Sequence, residues 1–131
     1  MKKIFFIDDD ADDRFIFKAA LNEIDLTFDY AEARDGQEAL EMIADPSFTV
    51  PDIIFVDLNM PRVTGLEFVI RMKKIAAYSS IPTYIYTTSG SANERVNCIT
   101  AGATGYIIKH AKSADLVKEL DHIISKFKIS V

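Results

Sequence analysis

Apolar residues along the chain gather in five short runs separated by longer stretches of mixed character: Ile4 to Ile7, Phe28 to Ala31, Ile53 to Val56, Tyr84 to Tyr86 and Tyr106 to Ile108. Most runs are apolar at nearly every position rather than at every second one, which predicts strands buried on both faces. The stretches between them carry apolar residues three and four apart, the spacing of one helix face. Leu116, Val117, Leu120, Ile123, Ile124 and Phe127 show it most clearly in the last stretch, with His122 off the stripe. After the first strand, Ile16, Phe17, Ala20, Leu21 and Ile24 share a predicted face. Strands alternating with helices imply repeated βαβ units, and hence a doubly wound α/β fold around a five-stranded parallel sheet.

Capping signals sharpen the boundaries. Asp35 with Glu38, and Ser91 with Glu94, have the capping-box spacing and should start the second and fourth helices, while Gly102 stands where a helix C-cap is needed. The fourth helix has a thin apolar stripe, chiefly Val96 and Ile99, and should be the least firmly docked. No internal repeat or Pro/Gly/Ser linker divides the chain, so its 131 residues are read as a single domain, 1–131, with no further output domain.

Net charge is −5, which argues against a surface that binds a phosphate backbone and hence against direct nucleic-acid binding. Lys118, Lys126 and Lys128 read as a solvated face and last-turn helix charges. No apolar run reaches the roughly 18 residues of a membrane span, and Met1-Lys2-Lys3-Ile4 enters a short apolar run without a cleavage-like segment. A soluble, cytoplasmic protein is expected. The single cysteine, Cys98, cannot form an internal disulfide and is read as a small helix-face residue.

Parallel α/β sheets bind ligands at the carboxyl ends of their strands, and there the chain concentrates its chemistry. The first strand runs into Asp8-Asp9-Asp10 and the third into Asp57; the fourth ends at Thr87-Thr88 and the fifth at Lys109. Central strands one and three would bring Asp8, Asp9 and Asp57 together. Crowded carboxylates raise one another's pKa or recruit a cation, and oxygen ligands without His or Cys favour Mg²⁺. Asp10, Asp12 and Asp13 have the simpler reading of turn and helix-capping residues. An aspartate can accept a phosphoryl group as an acyl phosphate, a lysine can balance its charge, and a threonine hydroxyl can report its arrival.

These residues resemble the CheY-like receiver domains of two-component response regulators. The resemblance runs through Ile7-Asp8-Asp9, Ala33-Arg34-Asp35-Gly36-Gln37-Glu38-Ala39-Leu40, Pro51 to Pro61 around Asp57, Gly65-Leu66-Glu67, Thr87, Ala101-Gly102-Ala103-Thr104-Gly105-Tyr106 and Lys109. It implies strand order 2-1-3-4-5 and a Mg²⁺-dependent phosphoacceptor at Asp57, which signals by conformational change and is not a turnover enzyme. It further implies Asp9 as a direct Mg²⁺ ligand, Asp8 acting mainly through metal-bound water, and the Asn59 carbonyl completing the set. Lys109 would pair with the phosphoryl oxygens and Thr87 would hydrogen-bond one, while Tyr106 changes rotamer when Thr87 moves. The implied donor is a phosphohistidine on a sensor histidine kinase or phosphotransfer protein. The implied output is a downstream protein that binds helix four, strand five and helix five.

Two positions depart from the family. Proline usually follows the strand-five lysine, commonly with a cis bond; here His110, read as a loop residue, follows Lys109. A cis bond without proline costs about 3 kcal/mol, so the loop is either trans or strained. Thr88 stands where the family favours a smaller residue, narrowing access to the acyl phosphate. Among other readings, a haloacid-dehalogenase-like phosphatase fits Asp8-x-Asp10 but leaves Asp57 unexplained and lacks later acidic ligands. A flavin module lacks a phosphate loop after strand one, and a phosphorylation-independent receiver-like interaction module would have no use for the full residue set.

Overall fold

The structure is a computed structural model and describes residues 2–24, 28–109 and 113–128. Its elements follow in the order β1 (Lys2–Ile7), α1 (Ala11–Glu23), β2 (Phe28–Ala33), α2 (Gly36–Ala44), β3 (Ile53–Val56), α3 (Gly65–Met72), β4 (Thr83–Thr87), α4 (Ala92–Ala101), β5 (Gly105–Ile108) and α5 (Ser113–Lys128). The strands form one parallel sheet in the order β2-β1-β3-β4-β5. This is the doubly wound α/β fold that the alternation of runs and helical stretches predicts.

Successive strand residues point to opposite faces, and the two faces build two cores. Phe5, Ile7, Ile54, Val56 and Ile85 pack with Ala39 and Ile43 of α2, Phe68, Val69 and Met72 of α3, and Cys98 of α4. Ile4, Phe6, Ile53, Phe55, Tyr84 and Tyr86 pack with Phe17 and Ala20 of α1 and with Leu116, Leu120, Ile123 and Ile124 of α5. Phe6 stacks on Phe17 with ring centroids 3.9 Å apart. Strands apolar at nearly every position are therefore covered on both sides.

Both predicted capping sites start helices. Asp35 accepts from Glu38 N at 2.8 Å and Ser91 from Glu94 N at 3.3 Å. Each glutamate then reaches back past the cap, Glu38 to Arg34 N and Glu94 to the Ser89 hydroxyl. Gly102 closes α4 with φ 117°, a conformation that side-chain-bearing residues rarely adopt.

Two helix faces differ from the sequence reading. Ile16 is exposed, because neighbouring helix residues lie about 100° apart and α1 turns Phe17 into the core instead. Val96 and Ile99 are 61% and 44% exposed, and α4 is anchored by Cys98, its one buried residue. α4 is thinly docked, as predicted, but by a different residue. Ile24 is buried as the cap residue just past α1. The side chains of Phe127 and Lys128 lie outside the described residues. Among the described residues no helix is long and apolar enough to cross a membrane.

Candidate functional site

Parallel pairing sets the site. Ile7 of β1 lies beside Val56 of β3, so the residues that follow, Asp8 and Asp57, leave the sheet side by side. Asp57 N donates to Ile7 O at 2.8 Å and Asp8 N to Ala33 O at 3.2 Å, which carries the ladder one residue past each strand. Across the sheet, Lys109 N donates to Thr87 O at 2.7 Å and fixes the start of the loop after β5. α3 closes in from below: Gly65 N donates to Leu58 O at 2.9 Å, and a Cβ on Gly65 would collide with the Asp57 carbonyl oxygen. Only glycine permits that approach.

Asp8 and Asp57 are buried, whereas Asp9 is exposed, and the three carboxylates each offer an oxygen within 4.8 Å of the others. Asp8 accepts from Asp10 N at 2.9 Å and from Lys109 Nζ at 3.0 Å. Its backbone carbonyl is held by Arg14 Nη1 at 2.7 Å, and Arg14 Nε pairs with Glu32 of β2 at 2.8 Å. Lys109 Nζ also meets Asp13 Oδ2 at 2.7 Å and, more distantly, Asp57 Oδ1 at 3.5 Å. Burial pushes the Asp57 carboxyl up to about 7, helped by the Asp8 and Asp9 charges and opposed by Lys109. Burial also raises the Asp8 carboxyl, against its hydrogen bonds from Asp10 N and Lys109. For Lys109, burial pulls the ammonium pKa down, but hydrogen bonds to Asp13 and Asp8 outweigh it and leave the pKa above its ordinary value.

These donors suit a hard divalent cation. The cluster is all oxygen, with neither His nor Cys, and a cation would relieve both the cost of burying the Asp57 charge and its crowding by Asp8 and Asp9. Asn59 lies exposed on the loop after β3 and lines a cavity of about 170 Å³ with Leu58, Thr64, Leu66, Glu94, Asn97 and Cys98.

At the β4 edge, Thr87 is fully buried and its hydroxyl accepts from Ser89 N at 3.3 Å. The Tyr106 hydroxyl donates to Ser89 O at 2.9 Å. Ser89 thus bridges the two residues that the sequence pairs as a switch, and its own hydroxyl donates to Glu94 in the first turn of α4. Thr88 is exposed just past β4. His110 and the Lys109–His110 bond lie outside the described residues.

Sequence reasoning missed three contributors. Asp13 reads from the sequence as a turn or helix-capping residue, yet its carboxylate makes the shortest contact to Lys109; the one available signal is an acid one helical turn past Asp9. Arg14 and Ser89 carried no signal, since their partners are brought to them by the sheet. Asp10 does cap α1, accepting from Asp12 N and Asp13 N, which commits the carboxylate that a phosphatase-like Asp8-x-Asp10 motif would need as an acid.

A family model for the response regulator receiver domain matches residues 4–121. The chain is 29% identical over 122 residues to the chemotaxis protein CheY1 of Helicobacter pylori, covering 93% of this chain and 96% of that one. It is 31% identical over 106 residues to the sensor histidine kinase CheAY of the same organism, covering 81% of this chain but 13% of the kinase. Among solved structures, the phosphorylated cyanobacterial phytochrome response regulator RcpA superposes with a TM-score of 0.85 at 26% identity, covering 93% of this chain and 90% of that one.

Proposed function

Because the chain belongs to the response regulator receiver domain family, whose members serve as phosphoacceptors in signalling, we propose that Asp57 takes the phosphoryl group beside a Mg²⁺ held by Asp8, Asp9, Asp57 and the Asn59 carbonyl. The observation that carries this reading is the placement of Asp57: a carboxylate whose proton affinity is raised by burial and then by its acidic neighbours, with a charged lysine 3.5 Å away. Asp9, exposed at the open edge, would hold the metal directly, and Asp8, buried and already hydrogen-bonded, would act through water. When bound, the metal neutralises the clustered carboxylates and the charge on the incoming phosphoryl oxygens.

An Asp57 carboxylate oxygen attacks the phosphorus of a donor phosphohistidine. The new P–O bond forms as the P–N bond breaks, and the departing imidazole keeps the electron pair and takes a proton from solvent. Lys109 balances the charge on the transferred group, and Thr87 hydrogen-bonds one of its oxygens. Drawing the Thr87 hydroxyl toward the phosphoryl group strips Ser89 N of its acceptor, and Ser89 O is the group that anchors Tyr106. The Tyr106 ring is thereby freed to change rotamer, and α4, tied in through Ser89 and Glu94, repacks.

A sensor histidine kinase or phosphotransfer protein is the donor. The output surface is α4, β5 and α5, where Val96, Ile99 and Ile108 already present exposed apolar side chains. The test is incubation with Mg²⁺ and a small acyl phosphate, reading incorporated phosphate by intact mass and its release by hydroxylamine. Asp57→Asn should abolish the label, and undiminished labelling of that variant would move the acceptor elsewhere.

A further inference from the structure

We propose that Asp13 is a positioning residue that holds Lys109 back from Asp57, so that a phosphoryl group arriving on Asp57 must win the lysine from α1. The proposal rests on the reading of Asp57 as phosphoacceptor and Lys109 as its charge partner. Of the three carboxylates around the Lys109 ammonium, Asp13 is nearest at 2.7 Å, Asp8 follows at 3.0 Å and Asp57 is farthest at 3.5 Å. A charge-assisted N–H···O bond is about 2.7–2.9 Å long, so the strong bond goes to Asp13 and the phosphoacceptor is left with a long contact. An ammonium has three N–H donors, and Asp8 and Asp13 engage two.

Water does little to loosen this arrangement, because the Lys109 side chain is 11% exposed. Its ammonium also lies 5.3 Å from the centroid of the Tyr86 ring, which limits where the stem can swing. Asp13 is presented from a fixed element: its backbone N–H is bonded to the Asp10 cap, so its carboxylate is offered from the first turn of a capped helix. A first-turn acid stabilises a helix through the backbone dipole without touching a lysine, and Asp12 already serves that role. The contact to Lys109 is what that simpler role leaves unexplained.

A phosphoryl group carries close to two negative charges, against one on Asp13, and so can draw the ammonium away. Moving it removes the tie between the loop after β5 and the start of α1. Asp13 therefore sets a threshold on activation, and α1 registers phosphorylation together with α4.

The test is titration with beryllofluoride, a phosphoryl mimic, in the presence of Mg²⁺, following the Thr87 amide by NMR. Asp13→Asn and Asp13→Ala should each tighten beryllofluoride binding by about tenfold, the worth of one charge-assisted hydrogen bond whose lysine is largely buried and whose carboxylate is partly exposed. The alanine variant covers the case in which an Asn carbonyl still accepts from the lysine. Asp13→Glu should stay near wild type, and in a Lys109→Ala background Asp13→Asn should have no effect, because Asp13 then has nothing to withhold. Unchanged or weaker binding by both Asp13→Asn and Asp13→Ala overturns the proposal, as does an equal gain without Lys109. Failure of the underlying reading looks different: beryllofluoride would then bind Asp57→Asn as well as it binds wild type.

Discussion

Replacing Asp57 by Asn should make the metal-free protein more stable at neutral pH, because the folded state stores electrostatic cost at that residue. The carboxyl goes from an ordinary 3.8 to about 7 in the fold, chiefly through burial and then through Asp8. Below about pH 4 the group is protonated both folded and unfolded, and it contributes nothing to the difference between the two proteins. Between about 4 and 7 the unfolded chain ionises while the folded protein keeps its proton, so stability falls as pH rises; above about 7 the whole cost is present. At about 1.4 kcal/mol for each factor of ten in proton affinity, the upper bound is about 4 kcal/mol. Asp9 leaves the pocket edge open to water, which screens part of this, so about 2 kcal/mol is the working expectation. The assay is urea unfolding of wild type and Asp57→Asn in EDTA from pH 3.5 to 8. The two curves should converge at the acid end and separate toward pH 8, with the variant more stable. Asp8, whose carboxyl is also raised, adds slope of the same sign to both proteins, so the difference isolates Asp57 and its repulsion from Asp8. Millimolar Mg²⁺ should shrink the gap, because it stabilises only the protein that keeps all its ligands. Parallel curves, or a wild type that gains on the variant as pH rises without metal, would refute the reasoning.

Gly65→Ala should lower stability by about 2–3 kcal/mol and weaken Mg²⁺ affinity together, because the added Cβ meets the Asp57 carbonyl and pushes α3 off the site; urea unfolding and a Mg²⁺ titration check both. Thr87→Ala should keep phosphate incorporation but shrink the amide shifts that beryllofluoride causes from Thr88 to Lys118, since the link through Ser89 to Tyr106 is lost. Shifts as large as in wild type would uncouple Thr87 from the output face.

The sequence alone determined which residues end which strands. Runs such as Ile53 to Val56 are too short for a helix, apolar at every position and separated by helical stretches, a combination that reads as buried parallel strands. The polar residues that follow, Asp8, Asp57, Thr87 and Lys109, must then meet at one edge. Caps at Asp35, Ser91 and Gly102 were legible for the same reason: they satisfy backbone groups within a few residues of themselves. What lay beyond the sequence depends on rotation and reach. A helix with few apolar residues does not fix its own rotation, so packing against α3 and β5 decided that Cys98 faces inward and Val96 and Ile99 face out. Lys109 is separated by 96 residues from Asp13, and only the docking of α1 against α5 on one face of the sheet decides which carboxylate its long side chain meets first. Ser89 is likewise one loop serine among several until the parallel pairing of β4 with β5 brings Tyr106 against its carbonyl. Local hydrogen-bonding and burial needs are written residue by residue. The partner of a flexible charged side chain is settled by three-dimensional distance, because its energy falls with separation in space and not along the chain.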